Sequence, residues 1–461
     1  MSEPTEPTLA PDAEQLLREA LALRSAGEVW THLSPLRPRL DEREIALAWM
    51  TLAQASPRDR SLPSDAARVL AVHPIDPEVL AVTLTALCRR VDAAGIDAPV
   101  EVGEQLEAGI AAAQKIEAPA ELVPALSAAL GNAILRLRPD DEAGLAALER
   151  AIKLDPEGPW LLDLVRVHKR ARRFRAGLAV ARNARKRHGA QKGVLVELAI
   201  VALGAGEPKE AADALRELGL NVELGGTSGD ALPFIADLPL LAVRVPSRAP
   251  EHGVMRLGDA STETQGAFET VWVQPLSPMH GVVRSATFRE AVTDFGDVIL
   301  FDVAPIAMVP RPGETKQIEV APLLPFLMVL RAGDERRLRF LALEQSAGQV
   351  RALMDAAADC PVFFHAETVE RVCARCMAGE TLIKHQHLPP EDQRFSIGKL
   401  IVPASLDLVT VAANLERAKA AQPGVLLAIP ALYELLGRTP DAGKHHKTWG
   451  AIERGLSART T

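Results

Sequence analysis

Apolar residues recur three and four positions apart along the first half of the chain, in segments that Pro, Gly or Asp residues separate. This spacing puts the apolar side chains on one stripe of an α-helix, and short connections make neighbouring helices antiparallel. The pattern predicts helices at Asp12–Ser25, Asp41–Ala55, Ser64–Val72, Asp76–Ala93, Val102–Ile116 and Pro119–Leu137. We therefore expect an all-helical array in the first half of the chain.

The second half carries β-rich stretches instead. Strands are predicted at Leu240–Val245, Glu269–Gln274, Asp297–Val303, Leu338–Leu343 and Pro361–His365, and helices at Met279–Asp294, Ser346–Ala358, Ser405–Ala420 and Lys447–Leu456. The strand, helix, strand order around Ser346–Ala358 favours a right-handed crossover that joins two paired parallel strands. We expect a sheet of about five strands with helices on at least one face.

Composition changes between the two halves. Ten of the eleven Phe residues follow position 230, and residues 221–230, NVELGGTSGD, are rich in Gly and small polar residues, as a linker is. The acidic, Pro-containing residues 1–12 have neither the basic start nor the apolar core of an export signal. The predicted organisation is a disordered tail at 1–12, a helical domain at 13–220, a linker at 221–230 and a mixed α/β domain at 231–461.

Small residues mark a period within the helical half, because Gly144, Ala176 and Ala211 lie 32 and 35 positions apart. Over about residues 130–220 the chain resembles the tetratricopeptide repeat family. The residues that carry the resemblance are Gly144, Leu148, Ala151, Pro156, Trp160, Ala176, Leu195, Ala199, Ala211 and Leu215. Leu164 and His188 depart from the family pattern. The resemblance implies a stacked array of helix pairs whose inner surface holds another molecule.

Bulk properties exclude several classes of function. The net charge of −8 argues against a protein-wide affinity for nucleic acid or anionic lipid. The apolar run Ala321–Leu330 is about half the length that crosses a bilayer, so we expect no membrane span. The four cysteines are too few for the disulfide framework of a secreted protein, which favours a reducing cytoplasm.

One stretch is strongly basic. Leu164–Val196 contains eleven Lys and Arg residues and no acidic residue. Like charges at this density repel each other unless a partner neutralises them. The partner is either an acidic protein segment, with nucleic acid as the second choice, or the chain's own acidic residues, of which Asp140–Glu142 are an example.

The repeat alignment gives candidate partner-binding residues. It places Leu161, Val165, His168, Lys169 and Arg172 on the inner surface of one repeat. From the polar members and the adjoining charge, we predict that His168, Lys169, Arg172 and Arg173 bind an acidic protein segment.

A second candidate site could hold zinc. Cys373, Cys376, His385 and His387 supply the two thiolates and two imidazoles that satisfy a tetrahedral zinc ion. The two histidines are closer together than in the commoner zinc patterns. The alternative is a buried cysteine beside exposed loop histidines, with no cofactor.

A polar turn after a predicted strand gives a third candidate, a pocket at His280 and Arg284. The sequence carries no nucleophile elbow, phosphate loop or zinc-protease motif. Our leading hypothesis is a cytoplasmic scaffold or adaptor whose helical repeats bind an acidic protein segment, with the α/β domain as a second binding or effector module. The alternative is a zinc-dependent enzyme or regulator whose site lies in the C-terminal domain and whose repeats recruit the substrate.

Overall fold

The computed structural model describes residues 31, 33–57, 59–94, 100–225, 231–247, 268–288, 291–311, 319–357, 359–370, 374–379 and 393–457. The chain divides into two compact units. One comprises residues 1–270, 274–281 and 299–330, and the other comprises residues 271–273, 282–298 and 331–461. The predicted tail at 1–12, the predicted helix Asp12–Ser25 and residues 226–230 of the predicted linker lie outside the described residues.

The first unit begins with helices, as predicted. Its described residues form a 3-10 helix at Ser34–Arg39 and then α1 (Arg43–Ala55), α2 (Leu62–Val72), α3 (Pro77–Ala94), α4 (Val100–Ala113), α5 (Val123–Leu137), α6 (Glu142–Leu154), α7 (Trp160–Arg170), α8 (Phe174–His188), α9 (Lys192–Ala205) and α10 (Pro208–Glu217). A sheet-rich region with further helices follows, which confirms the predicted order of an all-helical part and a mixed α/β part.

Local sequence signals set where these helices begin and end. Asp141 precedes α6 and its side chain accepts a hydrogen bond from the Ala143 backbone N at 2.9 Å. Such a cap satisfies a helix N–H group that has no partner within the helix. Gly206 ends α9 with a φ of +81°, a conformation that glycine adopts without a steric penalty.

Consecutive helices pack as pairs. A Cβ atom on Gly131 of α5 would lie 2.6 Å from the Gly144 carbonyl oxygen of α6, so the two backbones approach closely. The buried small residues at the matching place in the three last pairs are Gly144, Gly177 and Ala211, which lie 33 and 34 positions apart. Ala176, one of the three small residues of the predicted period, is exposed, and Gly177 lies against α7 instead.

The remaining strands of the chain up to Arg331 are β1 (Glu223–Gly225), β2 (Leu232–Phe234), β3 (Leu241–Pro246), β4 (Phe268–Ser277), β5 (His280–Val283), β6 (Val298–Phe301), β7 (Ala307–Pro310) and β8 (Val320–Arg331). Strands β1 and β2 form an antiparallel pair. The others form a sheet in the order β3-β4-β5-β6-β8-β7, and parallel pairing of β3 with β8 closes five of them into a barrel.

A continuous apolar core joins the last helices to these strands within the first unit. Leu198 and Ala202 of α9 and Leu215 of α10 share this core with Met279 and Leu300. Helix α9 is therefore buried on most sides, which matches its nearly uninterrupted apolar sequence.

The second unit contains an antiparallel sheet with helices. Its elements after Arg331 are β9 (Arg336–Glu344), α11 (Gln349–Asp355), β10 (Val362–Glu370), α12 (Ala374–Met377), β11 (Gln393–Val402), α13 (Leu408–Ala420), β12 (Leu426–Ala428), α14 (Pro430–Leu435) and α15 (Thr439–Ser457). The strand order is β10-β11-β9-β12, and each neighbouring pair is antiparallel. The predicted pairing of β9 with β10 is wrong: these strands run in the same direction, but β11 lies between them.

Both faces of this sheet are covered. Along β9, Leu338 and Phe340 contribute to a core with α11, α13 and α14, whereas Leu341 and Leu343 pack near Ile452 of α15. The alternation follows from the two-residue period of a strand. Helices on both faces agree with the expectation of helices on at least one face.

The predicted helix Met279–Asp294 is also wrong. The Ser277 hydroxyl accepts a hydrogen bond from the Met279 backbone N at 3.3 Å, and the chain turns directly into β5. The Val283 backbone N then donates to the Asp297 carbonyl oxygen at 2.9 Å. Non-local pairing of the backbone thus overrides the local helical pattern.

Among the helices that the structure describes, none combines the length and the apolar character needed to cross a bilayer.

Candidate binding groove

The first helix of each pair contributes to one large groove in the first unit. Residues of α1, α3, α5, α7 and α9 line it, and Asp302–Ile306 with Pro325 and Phe326 complete the wall. The groove encloses about 1850 Å³. Its lining includes small side chains such as Ala81, Ala125, Ala128 and Ala129. Small residues leave room for another chain to approach the helix backbones.

A chain of polar contacts crosses the groove from α3 to the loop after β6. Its members are Arg170, Asp92, Arg136, Asn132, Asp163, Arg166, Glu197, Lys169 and Asp302. Four carboxylates face four cations, so the chain is electrically balanced.

At one end of this chain, Asp92 binds two arginines. Arg136 donates from Nε at 3.1 Å and from Nη2 at 2.9 Å to the two carboxylate oxygens of Asp92, and Arg170 lies 2.6 Å from the same carboxylate. Burial alone would raise the pKa of Asp92, but the two arginines lower it to about 2. Asp92 is therefore ionised throughout the physiological range.

At the other end, Lys169 lies between two carboxylates. Its Nζ is 2.7 Å from Glu197 Oε2 and 2.7 Å from Asp302 Oδ2, and the residue is only 3 % exposed. Burial would lower the pKa of Lys169, but Asp302 and Glu197 outweigh burial and raise it. The ammonium group stays charged and is already neutralised by the chain itself.

Two of the four predicted partner-binding residues line the groove. Lys169 and Arg172 do so, whereas His168 and Arg173 lie outside it. His168 is half-buried next to Gly177, and burial together with Arg173 lowers its pKa to about 4. Arg173 lies 3.9 Å from Asp140, one of the acidic residues that the sequence offered as an internal partner.

The predicted inner face of α7 is rotated relative to the actual one. Leu161 and Val165 pack into apolar cores between helices, whereas Leu162, Asp163 and Arg166 line the groove. A shift of one residue turns a helix by about 100°. The small residue of the predicted period, Ala176, is likewise one position away from the buried one, Gly177.

No protein-family model matches the chain, and no curated protein or solved structure matches it either.

Sequence reasoning missed several residues of the groove, namely Asp92, Asn132, Arg136, Asp163, Glu197 and Asp302. A signal for some of them is present in the sequence. Glu197 interrupts the otherwise apolar run GVLVELAIVALGA, and Asn132 and Arg136 lie four residues apart within an apolar helix. A charged residue at a buried helical position needs a partner, and that requirement points to a network.

The structure does not bring His280 and Arg284 together into the predicted pocket. His280 begins β5 and is fully buried, whereas Arg284 is exposed beyond the end of that strand. The Ser277 Oγ lies 2.6 Å from His280 Nδ1, and burial lowers the pKa of His280 to about 4. His280 is thus a neutral, hydrogen-bonded core residue at physiological pH.

Most of the predicted zinc ligands cannot be placed. Cys373, His385 and His387 lie outside the described residues, and Cys376 is buried on α12. Strand β10 ends at Glu370, and Cys376 lies on the short helix Ala374–Met377. Within the described residues, no group of three or more His, Cys, Asp or Glu side chains could hold a metal ion.

Proposed function

We propose that the helical array is a protein-binding domain and that its groove holds an extended protein segment with acidic side chains. In this proposal the chain acts as a scaffold or adaptor in the cytoplasm, and the sheet-rich C-terminal region supplies a second binding or effector module. The observation that carries the proposal is the size and lining of the groove.

The size of the groove favours a polymeric ligand. Pockets for small molecules typically enclose about 300 to 1000 Å³. The groove encloses about 1850 Å³ and extends along five helices, each of which is the first of its pair. A segment of protein chain fills such a space, whereas a metabolite leaves most of it to water.

The architecture supports the same ligand class. The spacing of 33 and 34 residues between Gly144, Gly177 and Ala211 is close to the period of tetratricopeptide repeats. We propose that the last three helix pairs are repeats of this kind. Stacked helix pairs form extended concave surfaces that bind other proteins.

The charge of the groove favours an acidic segment. Seven Lys and Arg residues and five carboxylates line it, which leaves two positive charges. Most of these cations already bind carboxylates of the chain. Among the described residues, Arg89, Arg172 and Lys192 line the groove without a carboxylate partner, so these three are available to a ligand.

Peptide binding tests the proposal. The probes are fluorescein-labelled peptides of alternating Glu and Leu, with amidated C-termini, and matched peptides in which Lys replaces Glu. We expect saturable binding of the acidic peptide in fluorescence anisotropy, weaker at higher salt because the attraction is screened. Equal affinity for both peptides, or no saturable binding of the acidic one, would overturn the proposal.

A matched pair of variants locates the site. The variant R89E/R172E/K192E reverses the three available cations of the groove. The control R175E/K186E/K209E makes the same change in net charge at three exposed cations that do not line the groove. We expect only the first variant to lose binding of the acidic peptide. Equal losses in both would show a general charge effect.

A further inference from the structure

We infer that Arg172 is the anion-binding residue of the groove and pairs with an Asp or Glu side chain of the bound segment. This inference rests on the proposed function and deepens it. Two independent observations carry it, the backbone conformation of Arg172 and the surroundings of its guanidinium group.

Arg172 occupies a position where the fold favours glycine. It follows α7 with a φ of +55°, and its backbone N donates to the Lys169 carbonyl oxygen at 3.0 Å. A left-handed conformation brings the Cβ atom of any residue except glycine too close to its own backbone. The matching position 34 residues later, at the end of α9, is Gly206 with a φ of +81°.

The comparison extends to the other helix ends of the array. In its described part, the remaining residues with positive φ are Gly189, Gly206 and Gly219. Arg172 is the exception among these residues because it is not glycine, so its left-handed backbone costs free energy. Strained residues of this kind cluster at functional sites.

The guanidinium group of Arg172 lies in an unusual environment. It is half-buried, lies 5.7 Å from the centre of the Phe326 ring, and lines the groove. Burial lowers its pKa. The neighbouring cations Arg166, Lys169 and Arg170 each bind a carboxylate, but no described carboxylate pairs with Arg172.

The Phe326 ring offsets only part of the free energy that it costs to remove the Arg172 guanidinium group from water. A carboxylate from a ligand would offset more, because a hydrogen bond between charged groups is stronger than one between neutral groups. Since Lys169 and Arg170 are already neutralised, the acidic side chain of the ligand is placed next to Arg172. Phe326 and Pro325 then provide an apolar contact for the residues beside it.

Substitution by glycine separates a functional role from a structural one. We expect R172G to melt at the same temperature as the wild type or about 2 °C higher, because glycine relieves the strained backbone. The same variant should bind the amidated Glu-Leu peptide about tenfold more weakly, since it lacks one charged hydrogen-bonding partner. A residue with only a structural role would lower the melting temperature instead.

Two further variants complete the test. R172Q keeps a long polar side chain and should lose binding nearly as strongly as R172G, and R175Q is the matched control outside the groove. Amidation of the peptide excludes its terminal carboxylate as the partner, so stronger binding of a free-acid peptide by the wild type but not by R172G would reassign the anion to a chain terminus.

The failures of the two proposals are distinguishable. If R172G and R172Q bind the acidic peptide with wild-type affinity while R89E/K192E binds weakly, the inference about Arg172 is wrong and the groove remains the binding site. If the wild-type protein does not bind the acidic peptide, both proposals are wrong.

Discussion

Lys169 of α7, which is buried, forms an ion pair with Asp302 of the loop after β6, with 2.7 Å between Nζ and Oδ2. The two residues are far apart in sequence, so this contact fixes the loop to the groove wall within the first unit. Asp302 is half-buried, and Lys169 lowers its pKa against the opposing effect of burial.

Removing one partner of this pair should destabilise the first unit. We expect K169M to lower the free energy of unfolding by about 3 kcal/mol, because the half-buried Asp302 and the buried Glu197 both lose the Lys169 cation. The double variant K169M/D302N removes one of these two charges and should recover part of the loss. Urea unfolding followed by circular dichroism measures both, and equal stability of the single and double variants would contradict the expectation.

The close contact of α5 with α6 predicts sensitivity to one methyl group. In G131A the new Cβ atom would meet the Gly144 carbonyl oxygen at 2.6 Å and the Leu148 side chain at 2.9 Å. We expect a loss of about 1 to 3 kcal/mol, typical of overpacking. G193A is the control, because the nearest atom to its Cβ would be Leu162 Cδ2 at an ordinary 3.5 Å. Thermal unfolding should show a lower melting temperature for G131A alone.

His280 should make stability depend on pH. Its pKa is about 4 in the folded protein and about 6.5 in the unfolded chain, so the unfolded state binds more protons between these values. Its contribution is fully present above pH 6.5 and is lost as the pH falls towards 4, by at most about 3 kcal/mol. His168 and His445 have pKa values lowered in the same direction.

The variant H280Q isolates this effect. It cannot take up a proton, so its free energy of unfolding should fall less steeply than that of the wild type between pH 6.5 and 4. Parallel curves for the two proteins would show that His280 is not protonated on unfolding.

In the second unit, Lys399 of β11 forms a buried ion pair with Asp294 and donates to Thr287 Oγ1 at 3.0 Å. We expect K399M to cost about 3 kcal/mol, because Asp294 loses its cation. R394M changes an exposed cation on the same strand and should be nearly neutral. Chemical unfolding of the two variants, compared with the wild type, measures the difference.

Local patterns were sufficient to predict most of the helical half. The helices α1 to α5 each overlap a segment with apolar residues three and four positions apart, because one stripe of each helix is buried. The face of α7 was not predicted, since alignment by Ala176 instead of Gly177 rotates the helix by one residue. A pattern of small residues fits Ala176 and Gly177 equally well. Only the packing of α7 against α8 distinguishes the two positions.

The strands were harder to predict because their partners are distant in sequence. Strand β5 has a locally helical pattern, yet it pairs within a sheet through the Asp297 carbonyl oxygen. The groove network shows the same limit. Glu197 stands out in an apolar run, but nothing near it in sequence identifies Arg166 and Lys169 as its partners.

The order β10-β11-β9 also has a consequence for how the protein is made. A nascent chain that has emerged from the ribosome only as far as β10 exposes both neighbours of β11 but not β11 itself. Two strand edges then stay open until more than twenty further residues have emerged. Because exposed edges invite association between chains, a chaperone that covers them during this interval of translation would protect the protein.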